Sequence, residues 1–567
     1  MKNKGIFWIT SLLIISAQVK AQDNDKHYFD INKNIEIFNA VVKELDMFYV
    51  DSLNVETTIQ TGINSMLGNI DPYTTYIMED EMNDFKFMTT GEYAGIGSYI
   101  SAREYGNDKV AIMLTEPYEN MPAAKAGLKA GDIILEIDGE DMTRTGTLEK
   151  TGRDLSTTVS NKLKGQPGTI VKLKIERPGT KKVLEIKVSR ENIHVDAVPY
   201  YGILSNNIGY ISFSGFTDKS AIEVKDAFLD LKKKGITSLV LDIRGNLGGL
   251  LDDAVQITNL FVPKGEVVLS TKGKLKQSER TYRTTQPPLD TEIPIIVLVD
   301  RNSASSSEIL SGALQDMDRA VILGQRSFGK GLVQITRELP YGGSLKVTTA
   351  KYYIPSGRCI QAIDYAHRNE EDGSVSRIPD SLTSVFKTKN GREVRDGGGV
   401  TPYIQVELEK HPSIIYYLIN QNIIFDFATN WTLKHSSIPS AESFSISDKD
   451  YEDFKAFVKT KDFKYDRSSE KAMSTLKDIM EFEGYMKTSE AEFKALEAKL
   501  VPNLDQDLET SKSTISQYIS TEIVKRYYYN KGAIIQQLKD DNEVKKAIEV
   551  LNDKDLYKKT LSPQKES

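Results

Sequence analysis

Two side chains that together can carry nucleophilic catalysis, those of Ser305 and Lys330, lie in separate stretches rich in small residues. Residues 302–309 read Asn-Ser-Ala-Ser-Ser-Ser-Glu-Ile and follow an apolar run that predicts a buried strand. A serine at a helix start meets unpaired backbone N–H groups and the positive end of the helix dipole, which favour a developing oxyanion. Serine is also a common N-cap, and that interpretation fits most serine-rich helix starts. Ser305 alone therefore leaves two interpretations, nucleophile and cap.

Lys330 lies between two glycines in residues 324–334, Gly-Gln-Arg-Ser-Phe-Gly-Lys-Gly-Leu-Val-Gln, ahead of an apolar strand that could bury an amine. A lysine acts as a base only if its pKa falls from about 10.4 towards neutrality, which costs the ammonium form about 4 kcal/mol. Desolvation can supply that cost, and the neutral amine then takes the proton of a serine hydroxyl as it attacks a peptide carbonyl. The pair predicts acyl transfer by a lysine-activated serine.

A third stretch, residues 241–249, reads Leu-Asp-Ile-Arg-Gly-Asn-Leu-Gly-Gly and takes a buried strand into a glycine-rich turn. It is similar to the Gly-Asn-Ser-Gly-Gly of trypsin-like proteases, but Leu247 occupies the serine position, so that mechanism is excluded. Ser327 with Lys330, and Ser474 with Lys477, fit the Ser-x-x-Lys spacing of penicillin-recognising enzymes. That spacing requires a helix start, whereas Ser327 lies in a turn that enters a strand.

The front of the chain resembles a PDZ domain over roughly residues 84–178. The resemblance lies in Gly-Ile-Gly at residues 95–97 and in the stretch Ala-Gly-Leu-Lys-Ala-Gly-Asp at residues 126–132. In PDZ domains such a loop holds a peptide's C-terminal carboxylate while the peptide adds a strand to the sheet edge. The resemblance implies that Gly95, Ile96 and Gly97 bind peptide. Lys164 is either a sensor of the PDZ position or a solvated turn residue. For the whole chain, a noncatalytic scaffold that binds protein tails through the PDZ module remains an alternative function.

Together the three stretches and the PDZ module resemble the C-terminal processing peptidases, or tail-specific proteases, of the Ser–Lys type. The match runs from about residue 38 to 407 and includes residues 352–358 and 397–400. The resemblance implies a serine endopeptidase that binds protein C-termini through its PDZ domain and cleaves extracytoplasmic proteins through an acyl-enzyme. The implied roles are nucleophile for Ser305, base for Lys330, lysine orientation for Gln334, structure for Asp316, and oxyanion binding by the N–H groups of Ser306 and of Gly248 or Gly249.

Two residues depart from the pattern of that family. Ser306 replaces the usual alanine after the nucleophile, which adds a neighbouring hydroxyl but keeps the N–H group that the oxyanion needs. Tyr403 stands where relatives usually carry aspartate, and the sequence offers no functional account of it.

The elements that position these residues predict a multidomain α+β protein. From residue 208 to 323, apolar strands at 208–213, 238–243, 295–299 and 320–323 alternate with helices, which predicts a largely parallel sheet covered on both faces. The resemblance implies that this core is crotonase-like. The predicted divisions are a signal at 1–21, an N-terminal helical domain at 28–87, the PDZ domain at 88–180, the α/β peptidase core at 195–408 and a C-terminal helical domain at 409–567.

Composition limits the partners and the compartment. The formal charge of −7 argues against nucleic acid, and the five histidines never fall at metal-ligand spacing, so neither metal nor cofactor is expected. Lys2 and Lys4 precede an apolar run at residues 6–17, which predicts a cleaved signal and a periplasmic or otherwise exported protein, with an uncleaved anchor as the alternative. The expected partners are protein or peptide C-termini as substrates, and an adaptor or a second copy at the C-terminal helices.

Overall fold

The computed structural model of the chain describes residues 5–79, 81–106, 108–180, 182–369, 372–407, 409–500 and 503–563; for residues 5–25, 83 and 468 it describes the backbone alone. The chain forms two compact units. The smaller unit holds residues up to 80 together with 334–348, and the larger unit holds 81–333 and 349–567. Within the described residues, no helix combines the length and apolar character that crossing a membrane requires.

The smaller unit begins with the helices that its apolar periodicity predicts, α1 (Gly5–Phe48) and α2 (Val55–Gly68). Asp71 then forms a turn, because its carboxylate accepts hydrogen bonds from the N–H groups of Tyr73 and Thr74 at 2.8 and 2.7 Å. A short strand follows, β1 (Thr75–Ile77), which pairs antiparallel with residues 344–346. The predicted helical stretch 28–87 is therefore not helical throughout, because residues 75–77 form a strand that pairs with residues 344–346. Residues 5–21 of the predicted signal belong to α1, and residues 1–4 lie outside the described residues.

The predicted PDZ domain is a β-sheet with one long helix against it. Its elements, with a leading helix, are α3 (Met82–Thr90), β2 (Glu92–Gly95), β3 (Ser98–Glu104), β4 (Lys109–Pro117), α4 (Pro122–Lys125), β5 (Ile133–Ile137), β6 (Glu140–Asp141), β7 (Arg144–Thr145), α5 (Leu148–Leu163), β8 (Ile170–Arg177), β9 (Lys182–Ser189) and β10 (Glu191–His194). The sheet order is β3-β4-β5-β8-β9, so β3 is an edge strand. Buried Ile112 and Leu114 of β4 and Leu155 and Val159 of α5 form the core. β2 and β10 pair separately as a two-stranded ribbon.

The predicted peptidase core is an α/β domain built on a mostly parallel sheet. Its strands are β11 (Tyr200–Ile203), β12 (Ile208–Ser212), β13 (Ser238–Asp242), β14 (Val267–Gly273), β15 (Arg280–Arg283), β16 (Ile295–Val299), β17 (Val321–Gly324), β18 (Leu332–Glu338), β19 (Ser344–Tyr353), β20 (Val385–Lys387), β21 (Glu393–Arg395) and β22 (Ile404–Gln405). Its helices are α6 (Ser220–Lys233), α7 (Leu251–Asn259) and α8 (Ser306–Asp316). The central sheet has the order β11-β12-β13-β16-β17-β22, parallel except at β11. The four strands predicted from apolar runs are β12, β13, β16 and β17.

Helices cover both faces of this sheet, because side chains alternate along each strand. On one face, Leu239 and Leu241 of β13 pack with α6, α7 and α8. The other face is covered from the end of the chain, whose elements are α9 (Ser413–Asn420), α10 (Ile423–Thr432), α11 (Asp448–Lys459), α12 (Ser468–Glu483), α13 (Met486–Lys499), α14 (Leu504–Thr510), α15 (Lys512–Leu538), α16 (Asn542–Asn552) and α17 (Lys554–Thr560). α9, α10, α11 and α15 share a core of their own, whereas Val544 and Val550 of α16 pack on Val240 and Leu298 of the sheet.

Candidate active site

Ser305 lies where the loop after β16 enters α8, and its backbone is unusual. Its φ and ψ are 57° and −115°, whereas an ordinary N-cap residue has extended dihedrals. Such a conformation in a non-glycine residue costs on the order of 1–3 kcal/mol and persists only where the surroundings impose it. Here they do, because Ser303 Oγ donates to the Ile243 carbonyl at 2.9 Å and Ala304 N–H to the Asn246 carbonyl at 3.1 Å. Ser305 is the N-cap of α8 and shares a capping box with Glu308, but it is half-buried and its dihedrals differ from those of an ordinary cap.

The glycine turn after β13 packs directly against this serine. A Cβ added at Gly248 would lie 2.8 Å from Ser305 Cβ, closer than real Cβ atoms approach, and 3.0 Å from the Ser306 nitrogen, which is also tight. Gly248 also has φ 99°, so both its backbone and its surroundings require glycine. Asn246 holds the turn, because its buried amide donates to the Phe213 carbonyl at 3.0 Å and accepts from Gly248 N–H at 2.9 Å.

The backbone N–H groups at this junction include the predicted oxyanion donors. In the described part of the chain, Ser306 N–H and Gly249 N–H donate no hydrogen bond, whereas Gly248 N–H is engaged by Asn246. Ser306 is the first residue of α8, where the helix dipole adds positive potential. Its hydroxyl, the departure from alanine, donates to the Gly249 carbonyl at 2.8 Å and is buried. The Ser306 side chain thus ties the helix start to the glycine turn.

Lys330 lies on the loop between β17 and β18, and it is half-buried. Tyr352 anchors its main chain, with the phenol oxygen 2.5 Å from the Lys330 carbonyl oxygen and 3.2 Å from that of Ser305. The preceding glycine, Gly329, has φ 91°, and a Cβ there would lie 2.3 Å from Ala362 Cβ. The loop is therefore pressed against residues 361–362, which fixes the path of the main chain that carries the lysine.

The buried carboxylate of Glu308 joins the serine and lysine loops. Oε2 accepts from the N–H groups of Ser305 and Lys330 at 2.9 and 2.8 Å. Oε1 accepts from Ser327 Oγ and from Gly329 N–H at 2.5 and 2.7 Å. Burial raises the pKa of Glu308 to about 7, although these four hydrogen bonds oppose the rise. The residue types along the chain do not single out Glu308, and its local signal is an acid at the third position of a helix start.

The remaining predicted core residues lie in different settings. Gln334 belongs to the smaller unit, and its amide donates to Thr348 Oγ1 at 3.1 Å. Asp316 is buried and forms an ion pair with the buried Arg358 at 2.9 Å, which agrees with a structural role. Tyr403, the unexplained departure, lies with its ring 3.6 Å from the Arg392 guanidinium, and Arg392 pairs with Asp318 at 2.5 Å. The Tyr403 ring therefore makes a cation–π contact with Arg392.

The rival serines are placed differently from Ser305. Ser327 is buried, donates to Glu308 and accepts from Val400 N–H at 2.7 Å, so its hydroxyl supports the loop. Ser474 is exposed on α12. Leu247, at the serine position of the trypsin-like pattern, is 72% exposed at the tip of the turn.

The predicted peptide loop of the PDZ domain borders a cavity of about 210 Å³ between β3 and α5. Ile96 lines this cavity, and the neighbouring Gly97 has φ 74°. Tyr93 also lines the cavity, and burial raises its pKa to about 12 while the N–H groups of Ser98 and Gly97 act in the opposite direction. Lys164 also lines the cavity and pairs with Asp84 of α3 at 2.5 Å. An apolar groove beside an edge strand is the arrangement that strand addition requires.

One group of side chains has metal-ligand proximity that the sequence did not indicate. The ligand atoms of His194, Asp196 and Glu223 all lie within 4.8 Å of one another. Glu223 already accepts hydrogen bonds, from Val198 N–H at 3.0 Å and at the same distance from His194 Nε2. The group therefore forms a hydrogen-bonded junction between β10 and α6.

Comparisons with known proteins agree with this architecture. Residues 113–177 match a PDZ domain, residues 207–366 match Peptidase family S41, and residues 414–551 match a family described as "Probable PDZ-protease, C-terminal helical domain". The predicted PDZ, peptidase and C-terminal helical parts of the fold are confirmed.

Individual relatives carry related names. A carboxy-terminal-processing protease of Bartonella bacilliformis is 36% identical over 363 residues, which are 63% of this chain and 79% of the relative. A probable CtpA-like serine protease of Staphylococcus haemolyticus is 32% identical over 399 residues, 70% of this chain and 75% of the relative. The solved structure of a photosystem II D1 C-terminal processing protease aligns with 65% of this chain and 86% of its own, with TM-score 0.34 and 24% identity. The chain therefore belongs to peptidase family S41, as a serine peptidase of the carboxy-terminal-processing protease group.

Proposed function

We propose that the chain is an endopeptidase in which Ser305 is the nucleophile and Lys330 the general base. The observation that supports this pair most directly is the Glu308 carboxylate, one oxygen of which accepts hydrogen bonds from both main-chain N–H groups. The strained backbone of Ser305 is a second support, because such strain concentrates at functional sites. We keep Gln334 from the resemblance as the residue that orients the lysine amine.

The proposed reaction proceeds through an acyl-enzyme. Ser305 Oγ attacks the scissile carbonyl carbon while its proton passes to the neutral Lys330 amine. The carbonyl oxygen becomes an oxyanion held by the N–H groups of Ser306 and Gly249, which have no other acceptor among the described residues. Collapse of the intermediate breaks the C–N bond, and the leaving amine takes the proton from Lys330. Water then attacks the ester with Lys330 again as base, which releases the new carboxylate and restores the serine.

Alanine substitution tests the pair. Ser305→Ala and Lys330→Ala should each abolish cleavage of an unfolded protein substrate, and Gln334→Ala should lower kcat less than Lys330→Ala. Ser474→Ala is the matched control, since Ser474 is exposed and also precedes a lysine by three residues. Wild-type cleavage by Ser305→Ala would contradict the assignment, and a chain that binds tails but never cleaves would be a scaffold.

We propose further that the PDZ domain selects substrates by an apolar C-terminal tail. Support comes from the apolar cavity beside the edge strand β3 and from Ile96 of the predicted peptide loop, which lines it. Fluorescence anisotropy with Ser305→Ala should give at least about tenfold weaker binding for a C-terminally amidated peptide than for the same peptide with a free carboxylate. Equal affinities would exclude carboxylate recognition while leaving the peptidase assignment intact.

The compartment and the outer helices complete the proposal. We propose that the chain is exported and acts on extracytoplasmic proteins, supported by Lys2 and Lys4 ahead of the apolar run at residues 6–17. N-terminal sequencing of the mature protein should then begin at Gln22.

We also propose that α12, which exposes Leu476, Ile479 and Phe482, contacts an adaptor or a second copy. Sedimentation of wild type and Phe482→Ser checks for the second copy.

A further inference from the structure

Arg244, the residue directly before the glycine turn, is held by three carboxylates. Its guanidinium donates to Asp242 at 2.9 and 2.5 Å, to Asp541 at 3.1 and 2.7 Å, and to Glu543 at 2.5 Å. The side chain is only 20% exposed, so these contacts are largely shielded from water. Gly245, the next residue, is fixed as well, because its N–H donates to Asp300 Oδ1 at 3.0 Å. The start of the oxyanion turn is thus fastened through Arg244.

Two of the three carboxylates come from the C-terminal helical domain. Asp541 is the N-cap of α16 and accepts from the N–H groups of Glu543 and Val544, both at 2.9 Å. α16 in turn packs its apolar face on the central sheet, through Val544 and Val550 among others. The carboxylates therefore project from a helix end whose position is set by the same sheet that carries the catalytic loops. Groups on such a rigid support can fix a neighbouring loop closely.

Glu543 also reaches the lysine loop. Its second oxygen accepts from Gln325 Nε2 at 3.1 Å, and Gln325 is the first residue after β17, on the loop that leads to Lys330. Gln325 N–H donates to the Val299 carbonyl at 2.9 Å, which joins the ends of β16 and β17. One helix start from the C-terminal domain therefore contacts the beginnings of both the oxyanion turn and the lysine loop.

We propose that Asp541 and Glu543 are positioning residues for the peptidase reaction, acting through Arg244 on the oxyanion turn and through Gln325 on the lysine loop. The proposal rests on the assignment of Ser305 and Lys330 given above. It makes the C-terminal helical domain part of the catalytic unit. Three carboxylates share one guanidinium, so a variant that neutralises one of them leaves the charge of Arg244 paired. Such a variant should still fold, and its effect on kcat can be measured.

The test uses the full chain with Glu543→Gln and Asp541→Asn. Both variants should lower kcat at least about tenfold with KM changed less than about twofold, because a shifted oxyanion donor affects the transition state more than substrate binding. Tyr557→Phe is the matched control. It removes the hydrogen bonds between the phenol oxygen of Tyr557, on α17, and the backbone N and O of Ile295, at 2.9 and 3.1 Å. Ile295 is the first residue of β16, whereas Ser305 follows the last residue of that strand. The kcat of Tyr557→Phe should stay at the wild-type value.

Hydrogen exchange gives a readout that does not depend on activity. Amides in residues 245–250 and 325–331 should exchange several-fold faster in Glu543→Gln than in wild type or Tyr557→Phe. Either an unchanged kcat or unchanged exchange in Glu543→Gln would overturn the proposal, as would an equal loss of kcat in Tyr557→Phe. If Ser305→Ala cleaved as wild type does, the dyad assignment would fail, whereas unchanged exchange alone would refute the positioning role.

Discussion

Replacing Glu308 with glutamine tests whether the serine and lysine loops depend on one buried carboxylate. The carboxylate accepts four hydrogen bonds, two at each oxygen, and an amide has only one oxygen. The least costly orientation turns the amide NH₂ towards Ser327, whose hydroxyl can rotate to accept, and leaves Gly329 N–H without an acceptor. One buried unsatisfied donor costs about 1–3 kcal/mol, which corresponds to a loss of kcat between about 5-fold and 150-fold if the lysine loop shifts to relieve it.

Stability and activity should respond to pH in opposite directions at this site. The pKa of Glu308 is raised from 4.5 to about 7, so the folded state binds the proton more tightly than the unfolded state. Its contribution to the free energy of unfolding is fully present below about pH 4.5 and is lost as pH rises through about 7, a change of about 3 kcal/mol. We expect the ionised carboxylate to hold both loops in place for the proposed dyad, so kcat should instead rise through about pH 7.

The assay follows kcat and the midpoint of thermal unfolding from pH 5 to 9. Glu308→Gln does not titrate, so it should lack the loss of stability above pH 5 and stay near wild-type stability at pH 8 while its kcat is low. Glu149→Gln is the control, because Glu149 is an exposed acid in the first turn of α5. Wild-type kcat in Glu308→Gln across this pH range would refute the reasoning.

Two further substitutions test the glycine turn and the neighbouring hydroxyl. Gly248→Ala should lower kcat at least about 100-fold, since the added Cβ would lie 2.7 Å from the Ala304 carbonyl oxygen and displace the proposed oxyanion donors. Gly265→Ala, at φ 95° with nothing within 4 Å of the added Cβ, carries the same backbone strain without the collision and should keep kcat. Ser306→Ala should retain kcat within about tenfold, because it removes one neutral hydrogen bond to Gly249, worth about 0.5–1.5 kcal/mol. If Ser306→Ala abolished acyl-enzyme formation and Ser305→Ala did not, the nucleophile would have to be reassigned.

Local sequence patterns predicted much of the fold. The strands β12, β13, β16 and β17 were predicted because each is a continuous apolar run bounded by turn residues, which is a local property. The PDZ stretch and the stretches that contain the serine, the lysine and the glycine turn can also be recognised from the sequence, since each consists of consecutive residues. The helical stretch 28–87 was predicted less well, because β1 forms by pairing with residues 344–346, and no local period records that partner.

The sequence by itself determined the family, the order of the domains and the residue types available for chemistry. Only the tertiary structure decided which groups meet. Glu308 contacts a loop about twenty residues away, and Asp541 contacts Arg244 across 297 residues of chain. Such contacts depend on how parallel strands bring their carboxyl ends to one edge and on how α16 packs on the remaining face of the sheet. Spacing along the chain does not encode those distances, because they arise only when the layers have assembled.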